Sequence, residues 1–81
     1  MTASDFETID LRGYRCPLPV LKTRKRMIAL AEGERICVLV DDPLAGIDIP
    51  NFCRETGQVL IEQTAGDGAE ITFILERRSA F

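Results

Sequence analysis

Ile36-Cys37-Val38-Leu39-Val40 is an unbroken apolar run with β-branched residues at alternate positions, set between Glu34-Arg35 and Asp41-Asp42-Pro43. A run this short, bounded by polar residues and a proline, reads as a central β-strand covered on at least one face. The flanking segments supply its neighbours. Glu7-Thr8-Ile9-Asp10-Leu11 alternates polar and apolar residues, as a half-buried strand does, and Gly13 turns the chain after it. Gln58 to Thr64 and Ala69 to Arg77 read as two further strands joined by Ala65-Gly66-Asp67-Gly68, a turn rich in residues that accept positive φ. They are expected to pair as a hairpin, with Ile71, Phe73 and Leu75 facing the core.

Between these strands lie two helical segments. Pro17 and Pro19 are tolerated only in a first helical turn, where the N–H they lack would have no intrahelical partner, so a helix is predicted from Pro17 with Cys16 near its N-cap and Gly33 ending it. Val20, Met27, Ile28 and Ala31, joined by Leu21, form its predicted apolar face, and Lys22, Lys25 and Arg26 point away. Arg24 falls within that stripe, where its stem would pack while its guanidinium reaches the edge. The second helix is predicted from an N-cap at Asp48, with Pro50 in its first turn, Ile49, Phe52, Cys53 and Thr56 on one face, and Gly57 stopping it; its start can lie a few residues earlier.

The order βαβαββ predicts an α/β two-layer sandwich: two helices on one face of a four-stranded mixed sheet, with a right-handed first crossover. With 81 residues, the chain is expected to form a single domain over residues 7–78, with residues 1–6 and 79–81 flexible. A domain of this size closes one modest core and leaves no deep catalytic cleft, which puts function on the surface. The net charge of -3 argues against general or direct nucleic-acid binding, and no apolar stretch approaches the roughly 18 residues that span a bilayer. Neither a basic n-region nor an apolar h-region precedes Phe6, so the reducing cytoplasm is the expected compartment.

There is no histidine, which removes His-assisted serine or cysteine catalysis, and the three cysteines are too far apart for a paired zinc motif. From general rules Cys16 is equally a buried small hydrophobe or a reactive thiol. The reactive reading is that a helix N-terminus and the neighbouring Arg15 lower its pKa moderately, while Pro17 and Pro19 hold it in a fixed, exposed pose. Cys37 and Cys53 read as core residues, and Asp41 and Asp42 as turn and capping residues rather than a metal or acid–base pair. Six basic residues and no acidic one lie between Leu11 and Ala31 (Arg12, Arg15, Lys22, Arg24, Lys25, Arg26), a solvated helix face or a docking patch beside Cys16.

Leu11-Arg12-Gly13-Tyr14-Arg15-Cys16-Pro17-Leu18-Pro19-Val20 resembles the signature of the TusA-like, or SirA-like, family with its Cys-Pro-x-Pro element. Asp41-Asp42-Pro43, Asp48-Ile49-Pro50 and Phe52-Cys53 are also similar to the family pattern, which extends the resemblance over residues 8 to 77. The resemblance implies a compact βαβαββ domain like the C-terminal domain of a bacterial translation initiation factor. It implies a sulfur carrier, a sulfurtransferase in the sense of a persulfide carrier rather than a free-standing catalyst, with Cys16 as the sulfur acceptor and Pro17 and Pro19 positioning it. A cysteine desulfurase or a rhodanese would be the donor, and a downstream sulfur-accepting protein would lead to tRNA thiolation, cofactor biosynthesis or sulfur metabolism. Arg15, Leu18, Lys22 and Arg26 are the expected partner-binding residues. Thiol–persulfide exchange needs no metal or cofactor, so none is expected. Leu18 stands where some tRNA-directed members carry an acidic residue, which leaves the pathway open. A protein or RNA interaction module with a basic helix, and a thiol redox sensor, are the alternative readings.

Overall fold

The computed structural model describes residues 6–81. Its elements are β1 (Glu7–Asp10), α1 (Leu18–Ile28), β2 (Arg35–Val40), α2 (Ala45–Thr56), β3 (Val59–Ala65) and β4 (Ile71–Glu76). The four strands form one sheet in the order β1-β2-β4-β3. β1 pairs parallel with β2, and β4 lies antiparallel to both β2 and β3, so the sheet is mixed and β3–β4 is the expected hairpin. Both helices contribute to one core on one side of this sheet, giving the predicted two-layer α/β sandwich. Of the terminal segments expected to be flexible, residues 1–5 lie outside the described residues.

Alternation along β2 and β4 builds that core. Ile36, Val38, Val40, Phe73 and Leu75 turn inward and meet Met27 of α1 and Ile49, Phe52 and Cys53 of α2. The same alternation corrects the reading of Cys37: it points to the face away from the helices, beside Ile74 of β4, and is only half-buried. A continuous apolar run does not reveal that one of its two faces is left open. At the outer edge, β3 exposes Glu62, Gln63 and Thr64 and is interrupted by a register shift between Leu60 and Glu62, features that discourage further strand pairing.

Helix α1 departs from expectation at both ends and in its rotation. It begins at Leu18, with Pro17 as the N-cap, so Cys16 precedes the cap. It ends at Ile28, and Gly33, at φ +89°, serves the following turn instead of stopping the helix. The buried stripe is Pro19, Thr23 and Met27, while Leu21 and Ile28 remain 53% and 46% exposed and Ala31 lies beyond the helix on the surface. Proline and threonine hid this stripe from the apolar pattern. Arg24 is thereby rotated outward, and its guanidinium lies over the Phe81 ring at 5.5 Å.

Instead of hanging free, residues 79–81 pack on the body. Ser79 donates its N–H to Gln58 Oε1 at 3.1 Å, and Phe81 stacks on Phe52 with ring centroids 5.9 Å apart. Arg77 reaches across to the end of α1, where Nη1 donates to the Ile28 and Leu30 carbonyls at 2.8 and 2.6 Å. A cation placed there satisfies carbonyls that the helix end leaves unpaired and opposes the negative end of its dipole.

Helix α2 starts at Ala45, earlier than Asp48, and Pro50 lies inside it. The early start is set by Asp42, whose Oδ1 accepts the Leu44 N–H at 3.2 Å. Gly46 allows the helix to sit close to the sheet, since a Cβ there would stand 2.8 Å from Ile71 Cδ1. Gly57, at φ +77°, closes the helix as predicted.

One core residue is imperfectly satisfied. Thr23 is fully buried and its hydroxyl has no hydrogen-bond partner among the described residues. Replacing a buried, unpaired hydroxyl by a methyl of the same shape recovers its desolvation cost. Thr23→Val is expected to stabilise the fold by about 1 kcal/mol, a rise in melting midpoint of roughly 4–8 °C for a domain of this size. A lower midpoint by differential scanning calorimetry would mean that the hydroxyl has a partner in solution.

Candidate functional site

The loops that follow the parallel strands β1 and β2 leave the sheet at the same end, where α/β folds commonly place their chemistry. The first loop, Leu11 to Pro17, leads into α1; the second, Asp41 to Leu44, leads into α2. Two consecutive aspartates on the second loop hold the first. Asp41 Oδ1 accepts the Gly13 N–H at 2.8 Å and the Arg15 guanidinium at 3.1 Å. Buried Asp42 accepts the Cys16 N–H on Oδ2 at 2.7 Å while its Oδ1 takes Leu44. These carboxylates therefore do turn work, bracing the first loop against the second.

Cys16 is exposed at the tip of this assembly, its bond to Pro17 is cis, and its Sγ lies 2.9 Å from Asp48 Oδ2, to which the thiol donates. Asp48 reaches it from the first turn of α2. The two prolines act differently: Pro17 is exposed at the cap, whereas Pro19 is fully buried and anchors the first turn of α1 in the core. Leu18, between them, is exposed, as are Leu44 and Ile47 on the α2 side of the thiol.

This geometry overturns the expected acidification of Cys16. The hydrogen bond to Asp48 raises the thiol pKa, with further contributions from desolvation and from the negative charges of Asp48 and Asp42. The influences expected to oppose this are spent elsewhere. Arg15 is paired with Asp41, the Cys16 N–H is taken by Asp42, the Leu18 N–H goes to the Arg15 carbonyl, and two prolines remove donors from the first turn. A net basic stretch of sequence thus surrounds a thiol whose immediate neighbours in space are acidic.

The basic residues themselves are largely engaged. Arg12 bridges Asp10 and Glu70, Arg26 pairs with Glu7, and Lys22, half-buried, places Nζ 4.6 Å from the centre of the Tyr14 ring. Lys22, Lys25 and Arg26 line an open groove of about 440 Å³ between α1 and β1, together with Ile9, Asp10 and Leu11. Arg15, Cys16, Pro17 and Leu18 share the tip; Lys22 and Arg26 lie one and two turns further along α1. Cys53 is buried, and burial pushes its pKa up to about 11. Among the described residues, no cluster of three or more His, Cys, Asp or Glu is arranged to hold a metal ion.

Residues 7–77 match the family model described as Sulfurtransferase TusA. The chain belongs to the TusA family. Two relatives from Neisseria meningitidis, of serogroup A and serogroup B, each named as a candidate sulfur carrier protein, are 36% identical over 72 residues; the match covers 89% of this chain and 96% of each relative. The crystal structure of a SirA-like protein from Desulfitobacterium hafniense superposes with a TM-score of 0.79 at 27% identity, covering 91% of this chain and all of that one. In this TusA-family chain the residue that the sequence reading missed is Asp48. Its signal is an acid in the first turn of a helix whose start faces the same end of the sheet as the Cys16 loop, a position that in sequence is indistinguishable from a helix cap.

Proposed function

We propose that this chain is a sulfur carrier in which Cys16 takes the outer sulfur of a donor's persulfide and passes it to a downstream sulfur-accepting protein. The observation that carries the reading is the placement of Cys16: an exposed thiol at a tip whose loop is fixed by Asp41 and Asp42, in a chain of the TusA family. Fixing the backbone on both sides of the sulfur leaves it open to in-line approach by a partner's sulfur. Pro17 and Pro19 are the positioning residues of this reading, and the candidate sulfur carriers of Neisseria meningitidis are relatives along nearly their whole length. A cysteine desulfurase or a rhodanese is the proposed donor, and tRNA thiolation, cofactor biosynthesis or sulfur metabolism in the cytoplasm the proposed destination. Among the described residues, no helix is long and apolar enough to cross a membrane.

Incubation with a cysteine desulfurase and cysteine, followed by intact-mass analysis and peptide mapping, tests this directly. The expected result is a gain of one sulfur atom on Cys16; a gain on Cys37, or none with either class of donor, would exclude the carrier reading.

Docking is proposed to use Arg15, Leu18, Lys22 and Arg26. Replacing Lys22 and Arg26 together by glutamate should slow loading severalfold at low salt and flatten its salt dependence, because steering by exposed charge is screened over about 8 Å at physiological ionic strength. Loading rates measured against sodium chloride concentration check this. Identical curves for the two proteins would make the patch a solvated helix face and move recognition to Tyr14, Leu18 and the adjoining loop.

A further inference from the structure

From α2, Asp48 hydrogen-bonds the Cys16 sulfur, and that is the side-chain hydrogen bond Asp48 makes among the described residues. Acidic side chains are common in first helical turns because they offset the dipole, yet α2 has no side-chain cap bond, and this carboxylate turns to a thiol on another element. The charged groups facing the sulfur are Asp48 from α2 and Asp42 from the preceding loop, while Arg15 beside it is held by Asp41. A neutral thiol suits such a setting because it donates a proton to the carboxylate. An anion on the same sulfur is opposed by it.

Loading changes the charge at this point. In the exchange, the Cys16 sulfur bonds to the donor's outer sulfur as the bond between the donor's two sulfurs breaks. The electron pair of that bond leaves on the donor's inner sulfur, which takes the proton that Cys16 gives up. A donor persulfide anion and a neutral Cys16 thiol thus become a donor thiol and a Cys16 persulfide anion. The Cys16 sulfur is oxidised, the donor's inner sulfur is reduced by the same amount, and no outside oxidant or reductant is required. Persulfides are stronger acids than thiols, so the loaded form carries a negative charge where the empty form carries none.

Building on the carrier reading, we propose that Asp48 sets how tightly Cys16 holds its sulfur: its carboxylate accepts the hydrogen bond of the empty thiol and repels the loaded anion, so that the sulfur is readily given up. Asp48 is a positioning and tuning residue in this scheme; the reacting atom is Cys16 Sγ. The cost is a slower thiol at rest, which also shields an exposed cysteine from adventitious alkylation and oxidation.

Asp48→Asn keeps an acceptor oxygen in place and removes the charge, and Asp48→Ala removes both. Two readouts are needed: the rate of iodoacetamide alkylation of Cys16 from neutral to alkaline pH, and the share of Cys16 carrying sulfur at equilibrium with a fixed ratio of glutathione persulfide to glutathione, read by intact mass. Both variants are expected to shift the alkylation profile to lower pH, to react severalfold faster at neutral pH and to hold severalfold more sulfur at equilibrium. A merely structural role moves neither the pH profile nor the equilibrium in that direction. Profiles and loading identical to the native protein overturn the inference, as does faster alkylation with unchanged or reduced loading. A native chain that takes up no sulfur from any donor overturns the carrier reading and this inference together, whereas one that loads beside indistinguishable variants overturns this inference alone.

Discussion

Cys16→Ser is expected to abolish sulfur uptake while leaving the fold in place. The side chain is exposed, contributes nothing to the core cluster and makes one hydrogen bond among the described residues, to Asp48 at 2.9 Å. A serine hydroxyl donates the same hydrogen bond, so the change in stability should stay within about 0.5 kcal/mol, the range of surface substitutions away from special features. Chemistry is where the loss falls. A hydroxyl gives almost no anion at neutral pH and is a poor nucleophile towards sulfur, whereas a thiol, even one raised by a neighbouring carboxylate, supplies some thiolate. Neither remaining cysteine is placed to substitute: Cys53 is buried, with its pKa pushed up to about 11, and Cys37 lies half-buried on the opposite face of the sheet. Intact mass after incubation with donor, alongside thermal unfolding, reads both halves of the prediction. Residual loading would place the acceptor elsewhere, and a large fall in midpoint would make Cys16 structural.

The second large effect is expected at Asp42. This buried carboxylate joins two elements through the Cys16 N–H at 2.7 Å and the Leu44 N–H at 3.2 Å, pinning the loop before α1 while starting α2. Hydrogen bonds to a charged group are worth about 1.5–3 kcal/mol each, and part of that is recovered when water reaches the freed N–H groups. Asp42→Ala should therefore cost about 3 kcal/mol in total, which for a domain of this size lowers the melting midpoint by roughly 12–24 °C. Sulfur transfer should fall as well in the fraction that stays folded, because the loop no longer presents the sulfur in one pose. Asp42→Asn, which keeps an acceptor for one of the two N–H groups, should lie between alanine and the native residue. A midpoint for Asp42→Ala within a few degrees of the native protein would show that Asp41 and the prolines hold the loop unaided.

Much of the frame was legible because it depends on local pattern. The Ile36–Val40 run, the Gly66–Gly68 turn and the prolines at residues 17 and 19 each restrict the backbone through their own sterics and burial, and the strand pairings follow from them. Rotation was less legible. Helix α1 buries Met27 and packs Val20 on the core as expected, but completes its stripe with Pro19 and Thr23 in place of Leu21, Ile28 and Ala31, since hydropathy assigns little to proline and threonine although both fit a tight helix–sheet contact. Cys37 shows the same limit in a strand, where an apolar side chain on each face leaves open which face is covered.

At the site, the division falls between the place of Cys16 along the backbone and its electrostatics. A cysteine at the entrance of a helix, ahead of two prolines, follows from the chain itself, because the residues that restrict its backbone are its own neighbours, whereas its exposure is decided by the fold. The field on that cysteine is a sum over space, where distance and direction count and sequence separation does not. Counted along the chain, Cys16 stands in a stretch of cations; folded, Arg12, Arg15 and Arg26 are paired with Asp10, Asp41, Glu7 and Glu70, Lys22 and Arg24 lie over aromatic rings, and the groups that touch the thiol region are Asp42 and Asp48, 26 and 32 residues away. Sequence by itself determined at which end of which helix Cys16 stands, and left its exposure open. Only the packing of α2 against the first loop decided that this thiol donates to a carboxylate, which raises its pKa.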